Sequence, residues 1–377
     1  MWLVKIFSYV DEADSHAFHL PVDLIRAFAI FCVVLLHAAI ESYDQSVMTD
    51  PIIALYNGTT SAYQSVAIVG VPLFAILSGA LLLRPSKTFE PIRVFLRKRL
   101  GRLGLAFAFW SAIYFAWSFL VDAQPFSWQA IVGGVFSNGA YFHFWFFYLI
   151  GGLYLATPVL RIVVDKGGRI VTRYLLVLWF VGTSVMPLVL LVSGVLLGAG
   201  FALNNMLFLF TGFIGYFVFG AYVTRIRASS RILIAGLLMG IVWTLIGTYF
   251  MIYPLNWVGQ YYFFFDTVSA NVVLVSISIY MLLSKAPADW PGKTKHSRLH
   301  AIIQFISANT LPIYLFHVMI LESIHRGYFG FKLSLVSMNP IVEIPLAAAI
   351  AFVITIALIW VITRLPILTK LIGSASF

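Results

Sequence analysis

The chain has 377 residues, 61% of them hydrophobic and only 10% charged, with a mean hydropathy of +0.96. So few charges cannot cover the surface of a soluble protein of this size, and apolar runs recur near the roughly 20 residues that cross a hydrocarbon core. The net charge of +10 sits mainly in short loops between those runs, with no nucleic-acid-binding motif or long basic tail, which excludes nucleic acid and makes the lipid bilayer the partner.

Residues 1–21 contain Asp11, Glu12 and Asp14 without a uniform apolar stretch, so they read as a cytoplasmic arm and not as a cleavable signal. The first apolar run, about 22–40, carries Asp23 and Arg26 at its start and His37 deep inside. Arg26 and His37 are 11 residues apart. At about 100° per residue they return to within roughly 20° of one helix face, about 16 Å apart along the axis. Asp23 precedes Arg26 by three residues and can pair with it one turn earlier. Charged and titratable groups inside such a run are costly and need a partner or a task. A guanidinium at the membrane edge suits an anionic ligand, and an imidazole beyond it can act as a base near neutrality. Snorkelling of Arg26 and a structural hydrogen bond to His37 would satisfy the same residues.

Further spans are predicted at about 62–83, 103–121, 143–163, 174–192, 205–224, 231–252, 261–284, 303–324 and 341–363. In the second, Ser78-Gly79 reads as a site of close helix approach. Arg97-Lys98-Arg99-Leu100-Gly101-Arg102 enters the third. A helix beginning there sets Arg99 and Arg102 on one face, able to hold phosphate, although such a cluster also simply orients a span. His143 and Trp145 start the fourth span, either lining an outward-facing acceptor pocket or anchoring the interface. His317 lies inside the ninth, with Glu322 beyond it. Cys32 is the sole cysteine, so there is no intramolecular disulfide, and no metal site can be assembled by spacing.

Twenty-one of the 24 lysines and arginines fall on one side of this ten-span scheme, which places both termini in the cytoplasm. The expected fold is an all-α polytopic integral membrane protein of about ten transmembrane helices. It forms a single domain over 1–377, with the 1–21 arm, a 22–363 ten-helix core and a 364–377 cytoplasmic tail.

The pieces Asp23-Leu24-Ile25-Arg26 with His37, Val71-Pro72-Leu73-Phe74 with Ser78-Gly79, Arg99-x-x-Arg102, His143-Phe144-Trp145-Phe146 leading into Leu153-Tyr154-Leu155-Ala156-Thr157-Pro158, and Ile313-Tyr314-Leu315-Phe316-His317 run in order along nearly the whole chain. In them the chain resembles the acyltransferase 3 family of membrane acyltransferases, and most of all its branch of surface-polysaccharide O-acetyltransferases. The resemblance implies that His37 is essential for acyl transfer and that Arg26, Arg99 and Arg102 help bind an acyl-CoA donor. The expected activity is a membrane O-acyltransferase of the bacterial inner membrane. It would move an acetyl or other short acyl group from cytoplasmic acetyl-CoA to a hydroxyl of an envelope or exported polysaccharide, or its lipid-linked precursor, alongside polysaccharide-assembly machinery. His37 would be the general base, or else an acyl carrier; Asp23 would hold Arg26; His143 and Trp145 would contact the acceptor. The alternative is a transporter of a glycan or lipid-linked sugar, which would not consume a thioester.

Overall fold

The computed structural model describes residues 22–41, 51–83, 90–136, 139–197, 208–223, 226, 228–253, 255, 258–286, 298–333 and 338–374. The expected N-terminal arm and the basic positions Arg84, Lys87, Arg225, Arg227, Lys293 and Lys295 lie outside the described residues. Among those described, the chain is helical throughout, without a strand. In chain order the helices are α1 Val22–Glu41, α2 Pro51–Ala67, α3 Gly70–Leu82, α4 Ile92–Leu120, α5 Trp128–Phe136, α6 Trp145–Lys166, α7 Gly168–Phe180 and α8 Met186–Leu197. They continue with α9 Phe208–Tyr222, α10 Ser230–Ile252, α11 Ala270–Leu283, α12 Arg298–Ala308, α13 Thr310–His325, α14 Pro340–Ile362 and α15 Pro366–Leu371. A single 3₁₀ turn, Phe142–Phe144, leads into α6.

Among the described residues, eight helical stretches are long and apolar enough to cross a membrane: Val22–Ile40, Gly58–Leu82, Ile92–Leu120, Phe142–Lys166, Gly168–Gly194, Ser230–Ile252, Tyr262–Leu283 and Pro340–Ile362. The polytopic all-α class is therefore as expected. The ninth predicted span is not a straight helix. It is broken between α12 and α13, which meet at 83°. The sixth predicted span, 205–224, lies partly outside the described residues; its described part is α9, with the apolar stretch Gly212–Tyr222. Eight crossings, or nine with the bent pair as one, thus stand among the described residues against the expected ten.

The third predicted span starts eleven residues early, because α4 begins at Ile92 rather than near 103. Pro91 is extended at its N-cap, and the Arg, Lys and Leu residues that follow are good helix formers, so nothing stops the helix before the apolar run. The basic cluster is consequently a helical face and not a loop.

Helix α1 is central. It packs against α2, α3, α12, α13 and α14, and Ile25, Ala29, Ile30, Val33 and Val34 are fully or almost fully buried. The closest packing elsewhere is between α3 and α9. A Cβ on Gly79 would stand 1.7 Å from the Phe217 carbonyl oxygen, and one on Gly220 2.0 Å from that of Ile76. Glycine at both positions lets the two backbones touch, as expected for Ser78-Gly79.

Candidate active site

Three imidazoles from three distant segments meet near one end of α1. His37 comes from α1, His317 from α13 and His143 from the 3₁₀ turn before α6. His37 Nδ1 lies 2.7 Å from His317 Nε2, so the rings meet edge to edge, their centroids 4.9 Å apart with 30° between planes. His317 Nδ1 lies 3.1 Å from the Ile313 carbonyl oxygen, one turn back on its own helix. The His143 ring is 6.5 Å from that of His37 and 6.0 Å from that of His317. His143 and His317 are fully buried, whereas His37 retains 9% exposure beside the half-exposed Phe142, whose ring is 5.4 Å away.

The imidazoles are held by a hydrogen-bonded aromatic shell. The Tyr314 hydroxyl donates to the His143 carbonyl at 2.5 Å, and the Tyr114 hydroxyl donates to the Leu315 carbonyl at 2.7 Å. Both ring nitrogens of His143 are buried, and the ring lies beside the Leu315 carbonyl without a close, well-aligned hydrogen bond. Such an imidazole can still hydrogen-bond a group entering the site. Trp145 is not part of this group; its ring packs on Phe213 at 5.9 Å. Among the described residues, no set of three or more His, Cys, Asp or Glu side chains is arranged to hold a metal ion.

At the other end of α1 is a cavity of about 400 Å³. Arg26 of α1, Lys98, Arg99 and Arg102 of α4, Tyr154 of α6 and Ser307 of α12 line it, and among the described residues no acidic side chain does. The helical spacing of Arg99 and Arg102 turns both toward it, as the sequence suggested. Arg99 is braced by Glu90 at 3.4 Å and lies over the Phe95 ring at 4.1 Å, with Arg161 over the same ring at 4.7 Å. The Arg102 guanidinium donates to the Gly373 carbonyl at 3.1 Å, so the segment after α15 forms part of the wall. Asp23 does not line the cavity. It accepts a hydrogen bond from Ser307, which ties α1 to α12, and its charge attracts Arg26.

The two regions are joined by rings. Phe74 and Phe146 line the cavity and pack edge to face at 6.3 Å; Phe146 contacts Tyr314 at 4.7 Å, and Tyr314 contacts His317 at 5.9 Å. Sequence reasoning noted His317 without giving it a task and did not select Lys98, Tyr154 or Ser307. The usable signal for His317 was an imidazole inside an apolar run; for Tyr154 and Ser307, which are ordinary residue types in apolar helices, there was none. Glu322 lies beyond His317 on the same helix. It accepts from the Tyr141 hydroxyl and from Trp117 Nε1, the latter at 3.0 Å, near the Arg326–Asp122 ion pair at 2.6 Å.

A cavity lined by four basic side chains thus stands at one end of α1, and a pair of contacting imidazoles at the other. Residues 21–364 match the family model described as an acyltransferase domain, and the chain belongs to this acyltransferase 3 family of membrane acyltransferases. No curated protein and no solved structure matches the chain.

Proposed function

We propose that this acyltransferase is an O-acetyltransferase that takes its acyl group from acetyl-CoA on the cytoplasmic side and delivers it to a hydroxyl of an envelope or exported polysaccharide, or of its lipid-linked precursor. The observation that carries the reading is the cavity formed by Arg26, Lys98, Arg99 and Arg102 with no carboxylate among its described lining residues. Guanidinium groups hold phosphates through paired charge-assisted hydrogen bonds, and CoA presents several phosphates to one such surface. Arg26 and His37 share α1, so a donor anchored at the cationic end lies along a helix whose other end carries the imidazole. Phe74 and Phe146 supply the apolar passage between them.

His37 acts as general base. It takes the proton of the acceptor hydroxyl as the oxygen attacks the thioester carbonyl, a C–O bond forms, and the carbon–sulfur bond of the tetrahedral intermediate breaks. The proton then passes from the imidazolium to the departing CoA thiolate, which restores the site and releases CoA. His143, next to the imidazole pair, hydrogen-bonds the acceptor in this reading. Trp145, turned toward Phe213, is left with an anchoring role. The bias of basic residues toward one side supports a cavity that faces the cytoplasm from a bacterial inner membrane, where polysaccharide-assembly machinery would present the acceptor.

The test uses inverted membrane vesicles containing the full chain and acetyl-CoA labelled in the acetyl group. Label should appear in base-labile esters of polysaccharide with matching release of free CoA. His37→Ala should abolish both, with a loss of roughly 10²–10⁴-fold at normal protein level. Glycan movement without CoA release would support a transporter and overturn the proposal.

A further inference from the structure

The hydrogen-bond chain through the two contacting imidazoles has a fixed direction. A carbonyl oxygen only accepts, so at 3.1 Å from the Ile313 oxygen His317 Nδ1 must carry a hydrogen. His317 is fully buried among aromatic side chains, an environment that disfavours an imidazolium. An uncharged imidazole carries one N–H, so its Nε2 is a bare acceptor. The 2.7 Å contact to His37 Nδ1 then needs a hydrogen, and His37 must supply it. With its single N–H spent on Nδ1, His37 has its lone pair on Nε2, the nitrogen left out of the chain.

We infer that His317 is a positioning residue that fixes His37 as the Nδ1–H tautomer and so presents Nε2 as the reactive nitrogen. The inference rests on the proposed role of His37 as base. His317 touches neither donor nor acceptor in this scheme. When Nε2 takes the hydroxyl proton, Nδ1–H becomes more acidic and its bond to His317 strengthens, which steadies the charge that develops on His37. A carboxylate performs this service in soluble acyl-transfer sites. A neutral imidazole anchored to a backbone carbonyl does so without placing a permanent charge inside the membrane.

Two measurements decide the matter. In the vesicle assay, His317→Gln retains a side-chain oxygen that can accept from Nδ1–H, whereas His317→Leu retains bulk but no acceptor. His317→Gln should stay within about tenfold of the parent rate at saturating acetyl-CoA, and His317→Leu should fall on the order of 10²-fold, with KM for acetyl-CoA moving less than threefold in both. Equal rates for the two variants, or a raised KM with an unchanged saturating rate, would overturn the inference. The second measurement is independent of turnover and of how the variants fold. In ¹⁵N-histidine-labelled full-length protein, the His37 signals, assigned by their loss in His37→Gln, should show hydrogen on Nδ1 and a bare Nε2. Hydrogen on Nε2 would overturn the inference even if the enzyme is active. Failure of the wild type to consume acetyl-CoA would instead remove the functional reading, leaving the tautomer as measured.

Discussion

In the proposed scheme single residues divide the site into an anchoring end and a reacting end, and the two should fail differently. Arg102 enters the cavity with one backbone carbonyl as its hydrogen-bonding partner, whereas Arg99 is also held by Glu90 and the Phe95 ring. Each charge-assisted phosphate contact contributes about 1.5–3 kcal/mol. Arg99→Ala and Arg102→Ala should therefore each weaken acetyl-CoA binding by about tenfold to a hundredfold, as read by calorimetry on purified protein. Arg26→Lys should bind less tightly too, because a point charge cannot reproduce a guanidinium fork. Unchanged affinity in a protein lacking all three arginines would refute the docking scheme. Much of this division is readable in the chain itself, since Arg26 with His37, and Arg99 with Arg102, are related by helical spacing alone. The contact between His37 and His317 spans 280 positions, and no local period encodes it. The same is true of the Ser307–Asp23 bond, while Trp145 shows that proximity in sequence to His143 does not place a ring in the same pocket.

Among the elements, the α3–α9 contact is the one that a single methyl group should break. Gly79→Ala puts a carbon where the Phe217 backbone oxygen already sits, and backbone cannot swing aside as a side-chain tip can. Overpacking of this kind costs about 1–3 kcal/mol, so a clear fall in the midpoint of thermal unfolding in detergent is expected. Gly104→Ala on α4 meets nothing within 4 Å and gains helix propensity, so it should leave that midpoint level or higher. An equal response of the two variants would mean that the helices are not in backbone contact. Hydropathy located the elements because burial in lipid depends on composition averaged over a turn or more. It could not place the start of α4, where good helix formers continue past the apolar boundary, or the bend between α12 and α13, which averaging conceals.

For the whole molecule the decisive quantity is orientation. The proposed orientation has the cationic cavity and the turn after α6 on the cytoplasmic side, and the turn between α4 and α5 outside. Cys32 is buried, so a Cys32→Ser background gives a clean starting point for labelling. In intact cells an impermeant maleimide should modify Gln124→Cys, and should reach Asp165→Cys only after permeabilisation; both positions are exposed. The reverse pattern would turn the cavity away from the cytosol and its acetyl-CoA. The break at Asn309 adds a property that such residue-by-residue tests cannot reach. Helix α13 starts there without a side-chain cap, and its first two residues, Thr310 and Leu311, form part of the cavity wall. The first-turn N–H groups of that helix, Thr310 and Leu311 before Pro312, and its positive dipole end belong to the main chain. Alanine scanning therefore underestimates how strongly this cavity favours anions, because a protein stripped of its cavity arginines still retains a field that no genetic substitution of a side chain can erase.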